Sequence, residues 1–334
     1  VFVLDELERI PRIPLAEYPT ALELLPRLSA ELERWVFVKR DDAMGPGLGG
    51  NKTRKLEYLL ADAQRKGLGK VATFGGLQSN HARLTAAAAN RLGMESHLFY
   101  FESRPQTLTG NLVVNQLLGA KMHFIPFGGG GGMTLEASIL LARLVALALV
   151  GRHYFIPVGG HTWLGGLGYV RAAFEIDAQV RALGLEKAHL LLAAGSGGTL
   201  AGLMAGMALC GSDIRLLGID VGKLWRGFPV SIASLATEIC TRLGHPHVFS
   251  AGQVPLIEET YVGGRYGTPS DAGQSALKRL ARLEGVLLDP VYTAKAFAGL
   301  LGEVEKGRLG KNEPIIFLHT GGLPALFAFG GELP

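Results

Sequence analysis

Short apolar runs alternate along this chain with stretches whose apolar residues recur at helical spacing. Val36–Arg40 reads as a strand, and beyond it Leu56, Leu59, Leu60 and Ala63 follow a helical period with polar residues between them. Val71–Phe74 is a short apolar run, followed by a Gly-Gly turn and a helix from about Asn80 to Leu92. Leu190–Ala194, Leu216–Asp220, Val286–Leu288 and Ile315–Leu318 are the other clear strand candidates, and Leu135–Val150 reads as a buried helix. Strands alternating with helices predict an α/β protein with parallel sheets covered on both faces. The length, 334 residues, suggests two domains. We expect a small domain at 53–155 and a large one formed by 1–52 and 156–334, each an open, mostly parallel sheet covered by helices.

Composition narrows the classes. Net charge is +4 with no Lys/Arg stripe interleaved with aromatics, which argues against nucleic-acid binding. Leu135–Val150 contains Glu136 and Arg143 and falls short of the roughly 20 apolar residues that span a bilayer, so no membrane partner is expected. Asp5, Glu6 and Glu8 are wrong for a signal peptide, and Cys210 and Cys240 form no CxxC pattern. A reducing, cytoplasmic setting fits. His245 and His247 lack a third partner, so no metal site is expected.

Glycine clusters punctuate the pattern at 45–50, 75–76, 159–168, 195–198, 263–267 and 321–322, mostly between an apolar run and a helix. Such loops at the carboxyl ends of parallel strands are where open α/β sheets bind ligands. Gly128–Gly132 reads instead as a loop without an evident role.

Several motifs could carry chemistry. Gly49-Gly50-Asn51-Lys52-Thr53-Arg54-Lys55 places Lys52 at a helix start, where the helix terminus, burial and the charges of Arg54 and Lys55 would disfavour an ammonium. A solvated first-turn lysine is the plainer alternative. Gln78-Ser79-Asn80-His81 opens a helix, and its free N–H groups suit a carboxylate, although helix capping alone would explain it. Gly195-Ser196-Gly197-Gly198-Thr199 lies between a strand and a helix and could hold a phosphate; it is neither a Walker A loop nor Gly-x-Gly-x-x-Gly. Asp289-Pro290-Val291-Tyr292-Thr293, His319-Thr320-Gly321-Gly322 and Arg265-Tyr266-Gly267 are, singly, most simply turns.

Together these segments resemble the D-cysteine desulfhydrase and 1-aminocyclopropane-1-carboxylate (ACC) deaminase family, fold-type II pyridoxal-phosphate enzymes related to the tryptophan synthase β subunit. The resemblance runs from about Pro11 to Phe329, through GGNKTRKLEYLLADA, QSNHARLTAAAA, LLDPVYTAKA and FLHTGGLPALFAF. It implies a pyridoxal 5′-phosphate cofactor, a small amino-acid substrate and a homodimer. It also implies roles. Lys52 is the Schiff-base lysine and the base for the α-proton. Asn80 bonds the cofactor's ring oxygen, and Gly195, Ser196, Gly197, Gly198 and Thr199 hold its phosphate. Ser79 holds the substrate carboxylate, with Gln78 and Asn80 beside it. Tyr266 and Tyr292 face the substrate. Thr320 sits against the pyridine nitrogen, with Thr293 near.

The threonines discriminate within the family. The ACC deaminase pattern has Glu after the tyrosine and Leu before Gly-Gly; Thr293 and Thr320 match the desulfhydrase pattern. α,β-Elimination of D-cysteine to pyruvate, sulfide and ammonia is therefore expected. Three departures bear on the substrate: Gly159-Gly160-His161-Thr162-Trp163 where relatives often have Gly-Gly-Ser-Asn-Pro, Arg265 where a glycine is usual, and the segment Gly222–Phe228. Charge from His161 and Arg265 would suit an anionic leaving group, which keeps L-cysteate sulfo-lyase open beside ACC deaminase. A non-catalytic binder of pyridoxal phosphate or amino acids, or a nucleotide-binding protein using the 195–199 loop, are the alternatives from other classes.

Overall fold

The computed structural model of the chain describes residues 2–126, 134–258 and 260–330. Gly128–Gly132 lie outside the described residues. The strands are β1 (Leu22–Leu24), β2 (Val36–Lys39), β3 (Lys70–Phe74), β4 (Glu95–Tyr100), β5 (Lys121–Phe124), β6 (Tyr154–Phe155), β7 (His189–Ala194), β8 (Arg215–Asp220), β9 (Leu256–Ile257) and β10 (Ile315–Leu318). The helices are α1 (Phe2–Arg9), α2 (Pro26–Glu31), α3 (Lys52–Arg65), α4 (Asn80–Arg91), α5 (Asn111–Leu117), α6 (Leu135–Val150), α7 (Trp163–Ala182), α8 (Gly198–Cys210), α9 (Phe228–Arg242), α10 (Asp271–Glu284), α11 (Thr293–Glu305) and α12 (Leu323–Ala328).

Two sheets form. The larger has the order β1-β2-β10-β7-β8-β9, the smaller β5-β4-β3-β6. All pairings are parallel except β1 with β2. The central strands of the larger sheet are apolar on both faces because both are covered. Leu190, Leu192, Ile316 and Leu318 pack with residues of α7, α8 and α9, and Leu191, Ile315 and Phe317 with residues of α10 and α11.

Two expectations are corrected. Val286–Leu288 is not a strand. Gly285 caps α10 in the left-handed conformation, and β10 is already flanked by β2 and β7, so the run has no place beside β10. Helix α6 forms over the expected residues but is not buried throughout. Ala142 and Ala146 pack with Phe74 and Phe99 of the smaller sheet, while Leu140, Leu144, Leu147 and Leu149 face outward, each more than half exposed. Among the described residues, no helix is long and apolar enough to cross a membrane.

The smaller sheet carries a titratable pair. His97 Nδ1 lies 3.0 Å from His123 Nε2, and Glu95 Oε1 is 2.6 Å from His97 Nε2. Burial lowers the pKa of both imidazoles, against the pull of Glu95 on His97. Below the ordinary value of 6.5 the unfolded chain binds protons that the folded chain resists, so stability falls as pH drops through that value toward the folded pKa. Thermal midpoints measured from pH 7 downward should therefore fall less steeply in His123→Phe, which keeps the stack on Phe99. Parallel curves for the two proteins would refute the assignment.

Candidate active site

The carboxyl ends of β3, β7 and β10 meet at a cavity between the sheets. Its wall includes Lys52, Ser79, Asn80, Tyr266, Tyr292 and Thr320. Lys52 comes from α3, Ser79 and Asn80 from the start of α4, Tyr292 from the start of α11, and Tyr266 and Thr320 from loops.

Lys52 opens α3. Its Nζ donates to Asn51 Oδ1 at 2.8 Å, and Asn51 Nδ2 donates to Thr199 Oγ1 at 3.0 Å. The turn before it passes directly under β10's exit, with Asn51 N donating to Thr320 O. Gly50 has φ +137°, and a Cβ there would stand 3.1 Å from that same carbonyl, so the close crossing requires glycine. Burial, helped by the charge of Arg83, pushes Lys52 down to about 8, while Asp289 acts in the opposite direction. The expectation that Arg54 supplies the nearby charge is corrected. Arg54 turns away and is paired with Asp41 and Glu175. The relevant cation is Arg83, which donates to the carbonyls of Gly47 and Gly49 and to Asn111 Oδ1.

At α4, Ser79 is the N-cap and accepts from Ala82 N, which leaves its hydroxyl proton to donate elsewhere. Asn80 Oδ1 accepts from Asn111 Nδ2 at 2.9 Å, so its amide N–H groups are the end able to meet a ligand. Gln78 differs from expectation. It lines a neighbouring cavity, and its side chain is engaged by Thr109 O and Asn111 N.

The 195–199 loop joins β7 to α8, with Gly197 at φ +75° as the N-cap. Lys55 Nζ approaches the helix start: a Cβ on Gly198 would lie 3.0 Å from it. Lys55 is buried, donates to Gly159 O at 3.0 Å, and is held well below an ordinary lysine pKa by burial and by Lys52. The indole of Trp225 donates to Gly195 O at 2.9 Å, and Trp225 and Leu224 form part of the cavity wall.

On the opposite side, buried Asp289 accepts from the backbone N–H groups of Val291, Tyr292 and Thr293, shaping the turn that presents Tyr292. The hydroxyls of Tyr292 and Tyr266 are in hydrogen-bond contact, their rings edge to face. Burial pushes Tyr266 up to about 12 and raises Tyr292 well above the ordinary tyrosine value, so both carry protons at neutral pH. Thr293 is not on the cavity wall. It is fully buried, and its hydroxyl bonds the carboxylate and backbone N–H of Asp289. His161 and Arg265 are also off the wall. His161 lies beside Gly198 at the start of α8, and Arg265 is exposed at the neighbouring cavity with Glu102. Among the described residues, no three His, Cys, Asp or Glu side chains converge as metal ligands.

A family model described as "Pyridoxal-phosphate dependent enzyme" matches residues 13–321. The chain belongs to this family. It is 40% identical over 334 residues to a D-cysteine desulfhydrase of Salmonella choleraesuis (strain SC-B67), covering 98% of each chain. The same figures hold for a D-cysteine desulfhydrase of Salmonella schwarzengrund (strain CVM19633). A crystal structure described as an ACC deaminase homologue superposes with a TM-score of 0.88 at 37% identity, covering 99% of this chain and 98% of that one. The processed form of threonine deaminase isoform 2 from Solanum lycopersicum shares the fold, with a TM-score of 0.64 at 18% identity over 96% of this chain and 83% of that one.

The residues present fit the family's pyridoxal phosphate. An amine with a lowered pKa stands at the cavity to take the aldehyde carbon. The start of α8, with the amine of Lys55 beside it, suits a phosphate. Asn80 offers donors for a ring oxygen, and Thr320 offers a hydroxyl for a ring nitrogen. The sequence named Lys55 only as a charge near Lys52 and flagged Leu224 and Trp225 only within the segment Gly222–Phe228, and it gave Asn51 no role of its own. For Lys55 a signal existed, since a residue three positions after Lys52 shares its helical face.

Proposed function

We propose that this pyridoxal-phosphate enzyme eliminates the β-thiol of D-cysteine, yielding pyruvate, sulfide and ammonia. The observation that carries the reading is the absence of any Asp or Glu from the cavity wall among the described residues, with Thr320 there instead. Opening a cyclopropane that has no α-hydrogen benefits from a carboxylate that keeps the ring nitrogen charged; losing a proton and a thiol does not. Because Thr293 is engaged by Asp289, this discrimination rests on Thr320.

When bound, the cofactor supplies an electron sink for negative charge at the substrate's α-carbon. The protein's residues do the rest. The substrate carboxylate is received by the Ser79 hydroxyl and the N–H groups opening α4. Asn80 orients the ring through its amide donors. Lys52, neutral for much of the time near its pKa of about 8, takes the α-proton on Nζ. The Tyr266–Tyr292 pair, protonated at neutral pH, faces the β-substituent and can give a proton to the departing sulfur. The wall beside them is Leu224 and Trp225.

That wall disfavours L-cysteate. The lining holds no arginine, and the two residues that suggested an anionic leaving group, His161 and Arg265, do not reach it. Leaving a buried charged group unpaired costs about 3 kcal/mol or more, so kcat/KM for D-cysteine should exceed that for cysteate by at least about 100-fold. The test is pyruvate and sulfide release from D-cysteine beside 2-oxobutyrate release from ACC and sulfite release from cysteate. Faster turnover of ACC or cysteate would overturn the reading, and a bound cofactor with no product from any of them would favour a non-catalytic binder.

We also propose a cytoplasmic homodimer with a small domain at 53–155, around the four-stranded sheet, and a large domain formed by 1–52 and 156–334. The dimer rests on family resemblance; a solution mass of one chain by light scattering would exclude it.

A further inference from the structure

His161 is the residue at which the sequence leaves its relatives' usual pattern, and the cavity wall does not use it. Its surroundings are specific. Among the described residues its Nδ1 is sealed from solvent and has no hydrogen-bond partner. It points toward the start of α8, where the Cβ position of Gly198 is 3.6 Å from Nδ1 and 3.0 Å from Lys55 Nζ. A side chain at 198 would crowd both groups, with its Cβ also 3.4 Å from His161 Cα, so glycine is what lets them approach the helix start. The other ring nitrogen, Nε2, lies 3.3 Å from Ser231 Oγ, and Ser231 Oγ is 2.7 Å from Glu136 Oε1.

This chain of contacts settles the tautomer. Glu136 is held below the ordinary carboxylate range, with Ser231 among the groups that lower it against the effect of burial, so it is ionised and can only accept. Ser231 therefore spends its proton on Glu136, and its Oγ accepts from Nε2–H of His161. A neutral His161 then carries a lone pair, not a proton, on Nδ1. A phosphate oxygen arriving there would meet that lone pair.

We propose that His161 is a ligand of the cofactor's phosphate in this chain, and that it takes up a proton on Nδ1 when the phosphate binds. The inference rests on the pyridoxal-phosphate reading of the site. One N–H bond forms on Nδ1, the proton comes from solvent, and no other bond changes. The groups facing His161 are Lys55 from α3, which opposes its charge, and Glu136 from α6 and the Ser196 carbonyl, which favour it. In the free protein burial and Lys55 together push His161 down to about 4, so the ring is neutral until an anion arrives. A dianionic phosphate reverses that balance, and Glu136, through Ser231, steadies the resulting imidazolium.

The test uses pyridoxine 5′-phosphate, which lacks the aldehyde and leaves Lys52 unmodified. The full-length, cofactor-free protein is titrated with it by calorimetry at pH 7 in two buffers of different protonation enthalpy, which yields the protons taken up per ligand. Wild type should take up more protons than His161→Gln, and His161→Gln should bind about tenfold more weakly, the lower end for a hydrogen bond to a charged group. Pyridoxine without phosphate should bind both proteins alike. Ser231→Ala keeps the imidazole but frees Nε2 from donating, so it should retain affinity while losing proton uptake. Equal proton uptake and affinity in wild type and His161→Gln would overturn the proposal, as would equal weakening toward pyridoxine. Failure of wild type to bind either pyridoxine phosphate or pyridoxal phosphate would instead remove the cofactor reading beneath it.

Discussion

Lys52→Ala is expected to lower turnover of D-cysteine by at least about 10⁴-fold, the upper end for loss of one positioned base. The variant loses two things together: the amine that takes the cofactor's aldehyde and the group that removes the α-proton. Lys52→Arg sharpens the test. It keeps a cation at the start of α3 but cannot release a proton near neutral pH, so it should be equally inactive. The cavity lowers Lys52 to about 8 by burial, with Arg83 adding to the effect, and neither influence can make a guanidinium basic chemistry's partner. Absorbance spectra of the two variants loaded with pyridoxal phosphate should also lack the covalent lysine adduct expected of wild type. More than a tenth of wild-type turnover in either variant would remove Lys52 from the mechanism.

Arg54→Ala is expected to lower stability by about 3–5 kcal/mol, the range for breaking a buried ion pair from one side. Arg54 is 3% exposed and Asp41 is fully buried. Arg54 forks onto both Asp41 oxygens at 2.9 Å and reaches Glu175 at 2.8 Å. Tyr169 donates to Asp41, and Lys39 is paired with Glu175. The network thus ties α3 to β2 and α7, and removing the guanidinium strands a carboxylate in the interior. Urea denaturation should show the loss, with Arg54→Lys in between because an ammonium cannot reproduce the fork. Adding Asp41→Asn to Arg54→Ala should recover part of it, since the stranded charge is gone. A loss below about 1 kcal/mol in Arg54→Ala would mean that water reaches and solvates Asp41.

These two residues also mark where the sequence was readable. Apolar runs identified the central strands, because a strand covered on both faces has nothing else to be made of. Lys52 at a helix start was legible from its Gly-Gly-Asn approach. The direction of Arg54 was not. Two residues along an α-helix is a turn of about 200°, so Arg54 leaves the cavity while Lys55, at about 300°, comes back to the side of Lys52 and reaches the start of α8. The fate of Thr293 depended on Asp289, whose carboxylate gathers the backbone N–H groups of three following residues and the threonine hydroxyl with them. The Val286–Leu288 run had strand composition, but both places beside β10 are taken by β2 and β7, which only the strand order could reveal. Leu224 and Trp225 sat in a segment whose pattern was unusual, and unusual composition does not say which wall a loop will build.

The hydrogen bond from the Trp225 indole to the Gly195 carbonyl has a practical side for anyone re-engineering the enzyme toward bulkier β-substituents. It stitches the substrate wall to the loop offered to the phosphate, so a library that opens position 225 will fill with clones that shed their cofactor and score as dead regardless of the pocket they carry. Randomising Leu224 with Trp225 held fixed, and screening for retained colour before activity, separates the two outcomes.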